Sequence, residues 1–167
     1  MTGRYIGARD GVMLRQTVKW TFVWSMSIAF IFMGIYHFAG VPMLRMMTSD
    51  LAVVEASREY LPWLLLMPVV GCAAFTWDGI YIGATASREM RNSMLWATVC
   101  FAGLWTAGIL LLNHLYGITP EDASALASGS EATPYGRMAM HVLMAAYFAH
   151  LLARTVYLTV KSRRILS

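Results

Sequence analysis

Asp78 is the residue whose chemistry most needs explaining. It sits in "AAFTWDGIYIGATASREMRN" (residues 73–92), and every neighbour back to Leu61 is apolar or small. The next charge, Arg88, follows a glycine-rich patch. Such a carboxylate can carry a proton, bind a cation or pair with a buried base. A second polar group lies far along the chain. Tyr147, His150, Arg154 and Tyr157 recur at three- and four-residue steps, which places them on one stripe of a helix. Arg154 is as far from Arg137 as Asp78 is from Leu61, so the two reach equal depth if those residues mark the same end of two helices. An Asp78–Arg154 contact is the expectation, with His150 one turn away. Two roles stay open for Asp78. One is ion or proton handling, and the other is a buried ion pair that holds helices together. Arg154 has an alternative too, since its long side chain can reach headgroups.

The other chemistry-bearing residues are sparser. His37, His114 and His141 fall near one side of the apolar spans, and two histidines on different helices are the pattern of a membrane cytochrome b. Nothing else in the sequence supports haem, so interfacial or hydrogen-bonded histidines are expected and no cofactor is assigned. Cys72 and Cys100 both lie inside apolar runs, which argues for packing over a disulfide or a thiol metal site. Nucleotide-binding glycine loops, hydrolase nucleophile motifs and cysteine–histidine metal patterns do not occur. No enzyme activity and no metal are expected.

The elements that must carry these residues follow from composition. Hydrophobic residues make up 58% of the 167 and charged ones 13%, about half the share usual in a soluble domain. The charges cluster and leave four nearly empty spans at about 20–44, 61–85, 94–116 and 138–160. Each approximates the ~20 residues that cross a hydrocarbon core, and runs of this length without alternation are helices, not barrel strands. The chain reads as an all-α, four-span membrane bundle with no second domain. Asp78 then lies about 7 Å past the centre of the second span, at 1.5 Å per residue. It should face protein or a wet cavity there, because lipid contact is costly.

The net charge of +4 concerns topology and not nucleic acid. Arg4, Arg9, Arg15 and Lys19 precede the first span, Arg88 and Arg91 join the second to the third, and Lys161, Arg163 and Arg164 follow the fourth. The opposite side mixes Arg45, Arg58 and Arg137 with six acidic residues. The positive-inside rule places both termini in the cytoplasm, with Trp20 and Trp24 at the inner interface. The apolar run behind the N-terminus is too long for a signal peptide and reads as a retained span.

Finer features follow along the chain. Gly40 and Pro42 stop or bend the first helix. Thr48, Ser49 and Asp50 are cap residues for a short external interfacial helix at about 50–60. Pro62, Pro68 and Gly71 should kink the outer half of the second span. Gly79 and Gly83, four apart, allow a neighbouring helix to approach closely. The segment 117–136 has the composition of a flexible external loop.

The stretch "YLPWLLLMPVVGCAAFTWDGIYIGATASREMRNSML" closely resembles the tenth span and following loop of the DinF-like branch of the MATE (multidrug and toxic compound extrusion) transporters. The features that carry the resemblance are Tyr60 to Trp63, Pro68, Asp78 to Gly83 and Arg91 to Met94, with "MMTSDLAVVEASREYL" upstream. The resemblance implies that the four spans match spans nine to twelve of a twelve-span, two-lobed antiporter. It implies inner-membrane cation- or proton-coupled efflux of organic, drug-like compounds. Protons or Na+ would be the coupling ions and Asp78 the coupling group. Gly79, Gly83, Arg91 and Asn92 match the motif without an assigned role. Four spans are two-thirds of one lobe, so transport would need a missing transporter half or a homo-oligomer. The competing reading is a membrane interaction module, or a vestigial one, without transport.

Overall fold

The computed structural model describes residues 2–8, 10–117 and 134–166 of the chain. Six helices account for nearly all of them: α1 (Thr2–Gly7), α2 (Gly11–Met47), α3 (Leu51–Arg58), α4 (Leu61–Gly83), α5 (Ser87–Tyr116) and α6 (Pro134–Leu166). Four of these, α2, α4, α5 and α6, are long and apolar enough to cross a bilayer. The chain is an all-α membrane protein. Most of the segment expected to be a flexible loop lies outside the described residues.

Three of the long helices extend well beyond their expected apolar spans. The 37 residues of α2 are about 55 Å long, against a hydrocarbon core of about 30 Å. Hydropathy marks where a helix meets lipid, whereas capping marks where it ends. Asp10 caps α2 by accepting from the Met13 amide at 3.0 Å, which brings residues 11–19, with the polar Arg15, Gln16, Thr17 and Lys19, into the helix. At the other end, Gly40 and Pro42 do not stop α2, which continues to Met47. A proline removes its own N–H and crowds one carbonyl, and the turns on either side can persist when they are packed. Gly40 serves a different purpose. A Cβ there would lie 3.2 Å from Leu61 Cδ2, so the glycine lets α2 approach the start of α4.

Helix α3 is capped by Asp50, whose carboxylate accepts from the Ala52 amide at 2.9 Å, while Thr48 Oγ1 accepts from the Asp50 amide. Pro62 falls in the first turn of α4, where no donor is required, and α4 runs unbroken through Pro68. The turn after α4 closes by two bonds, from the Thr85 amide to the Ile82 carbonyl and from the Ala86 amide to the Tyr81 carbonyl. This is a Schellman motif with threonine, at φ 54°, where glycine is usual. Gly117 (φ 62°) takes the same left-handed position after α5.

The packing order puts α4 in the middle of the bundle. Helix α2 packs mainly on α4, α5 mainly on α6, and α4 joins the two pairs through α6. The core lies where α2, α4 and α6 meet. Val18, Trp77, Ile80, Tyr81 and Leu158 are buried together, with Phe22 and Tyr157 against them.

Candidate functional site

Asp78 and Arg154 face each other across the α4–α6 contact. Arg154 Nη2 lies 2.7 Å from Asp78 Oδ2, and each side chain is 10% exposed. The contact therefore combines full opposite charges with a short hydrogen bond, the stronger class of such bonds. The residues around it are largely apolar. Trp77 precedes Asp78 and meets Phe22 of α2 edge-on at 5.0 Å, and Ile80 and Tyr81 follow it into the core. The fully buried Tyr81 donates its hydroxyl to the Leu158 carbonyl at 2.7 Å, tying α4 to α6 one turn from the ion pair. That bond fixes the rotation of the two helices that brings carboxylate and guanidinium together.

The pair is one-pronged. Asp78 Oδ1 and Arg154 Nε are both buried, and neither has a hydrogen-bond partner among the described residues. One is an acceptor and the other a donor, so the site keeps a complementary pair of unused positions beside the ion pair. A buried carboxylate with a free oxygen can accept a proton, a water or a cation there. Doing so would loosen its hold on Arg154.

The other sequence-predicted residues scatter around this pair. His150 does not join it, because the imidazole stacks on Tyr147 (12° between planes) and meets Phe101 of α5 edge-on. Tyr157 donates to Glu89 Oε2 of α5 at 3.3 Å. The polar stripe of α6 thus divides, with Arg154 turned to α4 while the His150 ring and the Tyr157 hydroxyl reach α5. Gly79 is exposed, and a Cβ there would meet nothing within 4 Å, so it does not mediate close helix packing among the described residues. Gly83 does meet a neighbour, Thr2 of α1, at 3.1 Å from its added Cβ. Besides Gly40, a glycine that does bring two long helices together is Gly108 of α5, where a Cβ would collide with Val142 of α6. Pro68 is half-buried within α4, Arg91 is exposed near the start of α5, and Asn92 is half-buried beside it.

A further polar cluster, which the sequence did not signal as a unit, lies at the α3-bearing end of the bundle. Trp63 Nε1 donates to His141 Nδ1 at 2.9 Å, His141 Nε2 lies 3.3 Å from Glu59 Oε1, and Arg137 Nη1 lies 3.7 Å from Glu59 Oε2. The repeat of Arg137 and His141 one helical turn apart is the signal that could have pointed to it. Both ring nitrogens of His141 are engaged, so it could ligate haem only by giving up a bond. His37 lies edge-on to Phe38, and His114 is exposed.

Fold and site together define a polytopic helical membrane protein with an ion pair buried in its bundle. The MatE family profile matches residues 1–104, more than half of the chain, and the chain belongs to that family. It is similar to a protein called DNA damage-inducible protein F from Escherichia coli (strain K12), with 37% identity over 101 residues. That alignment covers 60% of this chain and 22% of the relative, so the chain spans about a fifth of the length of the protein it matches. No solved structure matches it. Asp78 lies within the matched region, and Arg154 lies beyond it.

Proposed function

We propose that this chain is part of a cation- or proton-coupled exporter of organic compounds in the inner membrane, with Asp78 as its coupling group and Arg154 as the counter-ion. The observation that carries this reading is the buried Asp78–Arg154 pair with one carboxylate oxygen unused. Such a group can exchange its arginine for a proton or cation at low cost in geometry. Membership of the MatE family supplies the transport context. Alternating access needs two repeats that rock about a central site, and four spans supply less than one of them. The working transporter therefore includes further spans, contributed by a partner chain or by more copies of this one. Both termini lie in the cytoplasm, as the distribution of arginine and lysine directs.

The test is export of a fluorescent organic cation from cells that express this chain with the complementary spans. The variant Asp78→Asn/Arg154→Gln leaves no lone buried charge, so it should reach the membrane at normal levels while gradient-driven export is lost. Export unchanged in that variant would rule Asp78 out as the coupling group.

A further inference from the structure

The Trp63–His141–Glu59–Arg137 cluster lies at the other end of α4 and α6 from the ion pair and plays no part in the proposal above. A neutral imidazole has one N–H and one bare nitrogen. The indole N–H of Trp63 is a donor only, so at 2.9 Å it requires Nδ1 of His141 to be the bare nitrogen. The ring proton is thereby placed on Nε2, pointing at Glu59 Oε1 3.3 Å away. The ring also packs on Tyr60 (centroids 5.2 Å apart) and on Trp63 (6.3 Å).

We propose that His141 is a proton-responsive latch that ties Trp63 of α4 to α6 when neutral and releases it when protonated. A second proton must go on Nδ1, where it would face the indole N–H, donor against donor. The Trp63–His141 bond cannot survive that change. The imidazolium instead strengthens its contact with Glu59. The charged groups at the ring are Glu59 and, beside its other oxygen, Arg137, and Tyr60 is a further titratable group against it among the described residues. Glu55 and Arg58 form their own pair on exposed α3 and face the same charged cleft as Glu59 and Arg137.

The release has a structural consequence. Trp63 lines an apolar groove of about 260 Å3 together with Tyr60, Leu64, Met67, Met144 and Phe148. Its indole meets Phe148 edge-on at 5.3 Å, and its polar edge is held by His141. Freeing that edge leaves the ring held by apolar contacts alone and lets it turn within the groove. Proton uptake at the surface of the bundle would thus change the shape of an apolar recess between α4 and α6.

The test is NMR of the purified full chain in lipid nanodiscs, with 15N in histidine rings and tryptophan indoles. Signals are assigned by their loss in His141→Gln and Trp63→Phe. At about pH 8, His141 should be in the Nε2–H form, and on acidification to about pH 5 the Trp63 indole resonance should move in step with protonation of His141. The other indole resonances should not follow that titration. An Nδ1–H tautomer at the higher pH overturns the latch. So does a Trp63 resonance that stays fixed while His141 titrates, or a ring that takes up no proton over this range.

Discussion

At the residue scale, the balance of forces at Asp78 and Arg154 decides what a substitution does. Each charge has left water, and the cost is offset by the other at 2.7 Å. Removing one partner strands the second, which typically costs 3–5 kcal/mol, whereas removing both avoids that loss. Asp78→Asn should therefore destabilise the bundle by about 3 kcal/mol. The double variant Asp78→Asn/Arg154→Gln should recover most of that difference. Thermal or denaturant unfolding in micelles reads both. Simple addition of the two single effects would show that the pair is not energetically coupled. Asp78 was recognisable from the sequence because a carboxylate in an apolar run has few explanations. Arg154 was recognisable as its partner through equal depth. His150 lies one turn from Arg154 yet meets Tyr147 and Phe101, because residues on one stripe of a helix can still face two different helices.

At the element scale, two local conflicts mark where substitutions should act. Thr85 holds the left-handed position of the α4–α5 turn, which costs an L-residue with a Cβ about 1–2 kcal/mol. Thr85→Gly should raise stability by about 1 kcal/mol, because the turn bonds come from backbone amides and need no side chain. A loss of stability would mean that the threonine side chain supports the turn. The second conflict concerns the glycines. At Gly108 a methyl group would collide with Val142, so Gly108→Ala should cost about 1–3 kcal/mol through overpacking at the α5–α6 contact. At Gly79 the space is open, and Gly79→Ala should be neutral or stabilise by up to about 1 kcal/mol through helix propensity. Unfolding of the two variants side by side checks the assignment. Equal effects, or the reverse order, would refute it. The sequence pattern favoured Gly79 and Gly83 because four-residue spacing is the familiar signature of close packing. A single glycine at the crossing point of two helices leaves no such signature.

At the scale of the whole molecule, charge asymmetry and bundle geometry have to agree. The proposed topology puts residues 45–60 and 117–136 on one side of the membrane and the 84–86 turn on the other. A single cysteine at Ser128, in a background without Cys72 and Cys100, should react with an impermeant maleimide in intact spheroplasts. Labelling seen only after permeabilisation would invert the topology, and the Trp63–His141 cluster would then face the cytoplasm.

What the sequence by itself determined was distance along the helices. Each residue adds a fixed rise, so the number of long helices, the stretches that cross apolar medium and the equal depth of Asp78 and Arg154 could all be counted from residue to residue. Helix ends were less legible, since α2 begins and ends on caps and backbone bonds that hydropathy does not register. What only the tertiary structure decided was direction around each helix. The Tyr81–Leu158 bond and the fit of Gly108 against Val142 fix how α4, α5 and α6 are rotated against one another. That rotation turns Arg154 toward α4 and His150 toward α5, leaves Gly79 exposed, and brings Trp63 against His141. The physical reason is that depth is a property of one chain segment, while facing is a property of two surfaces that must interlock.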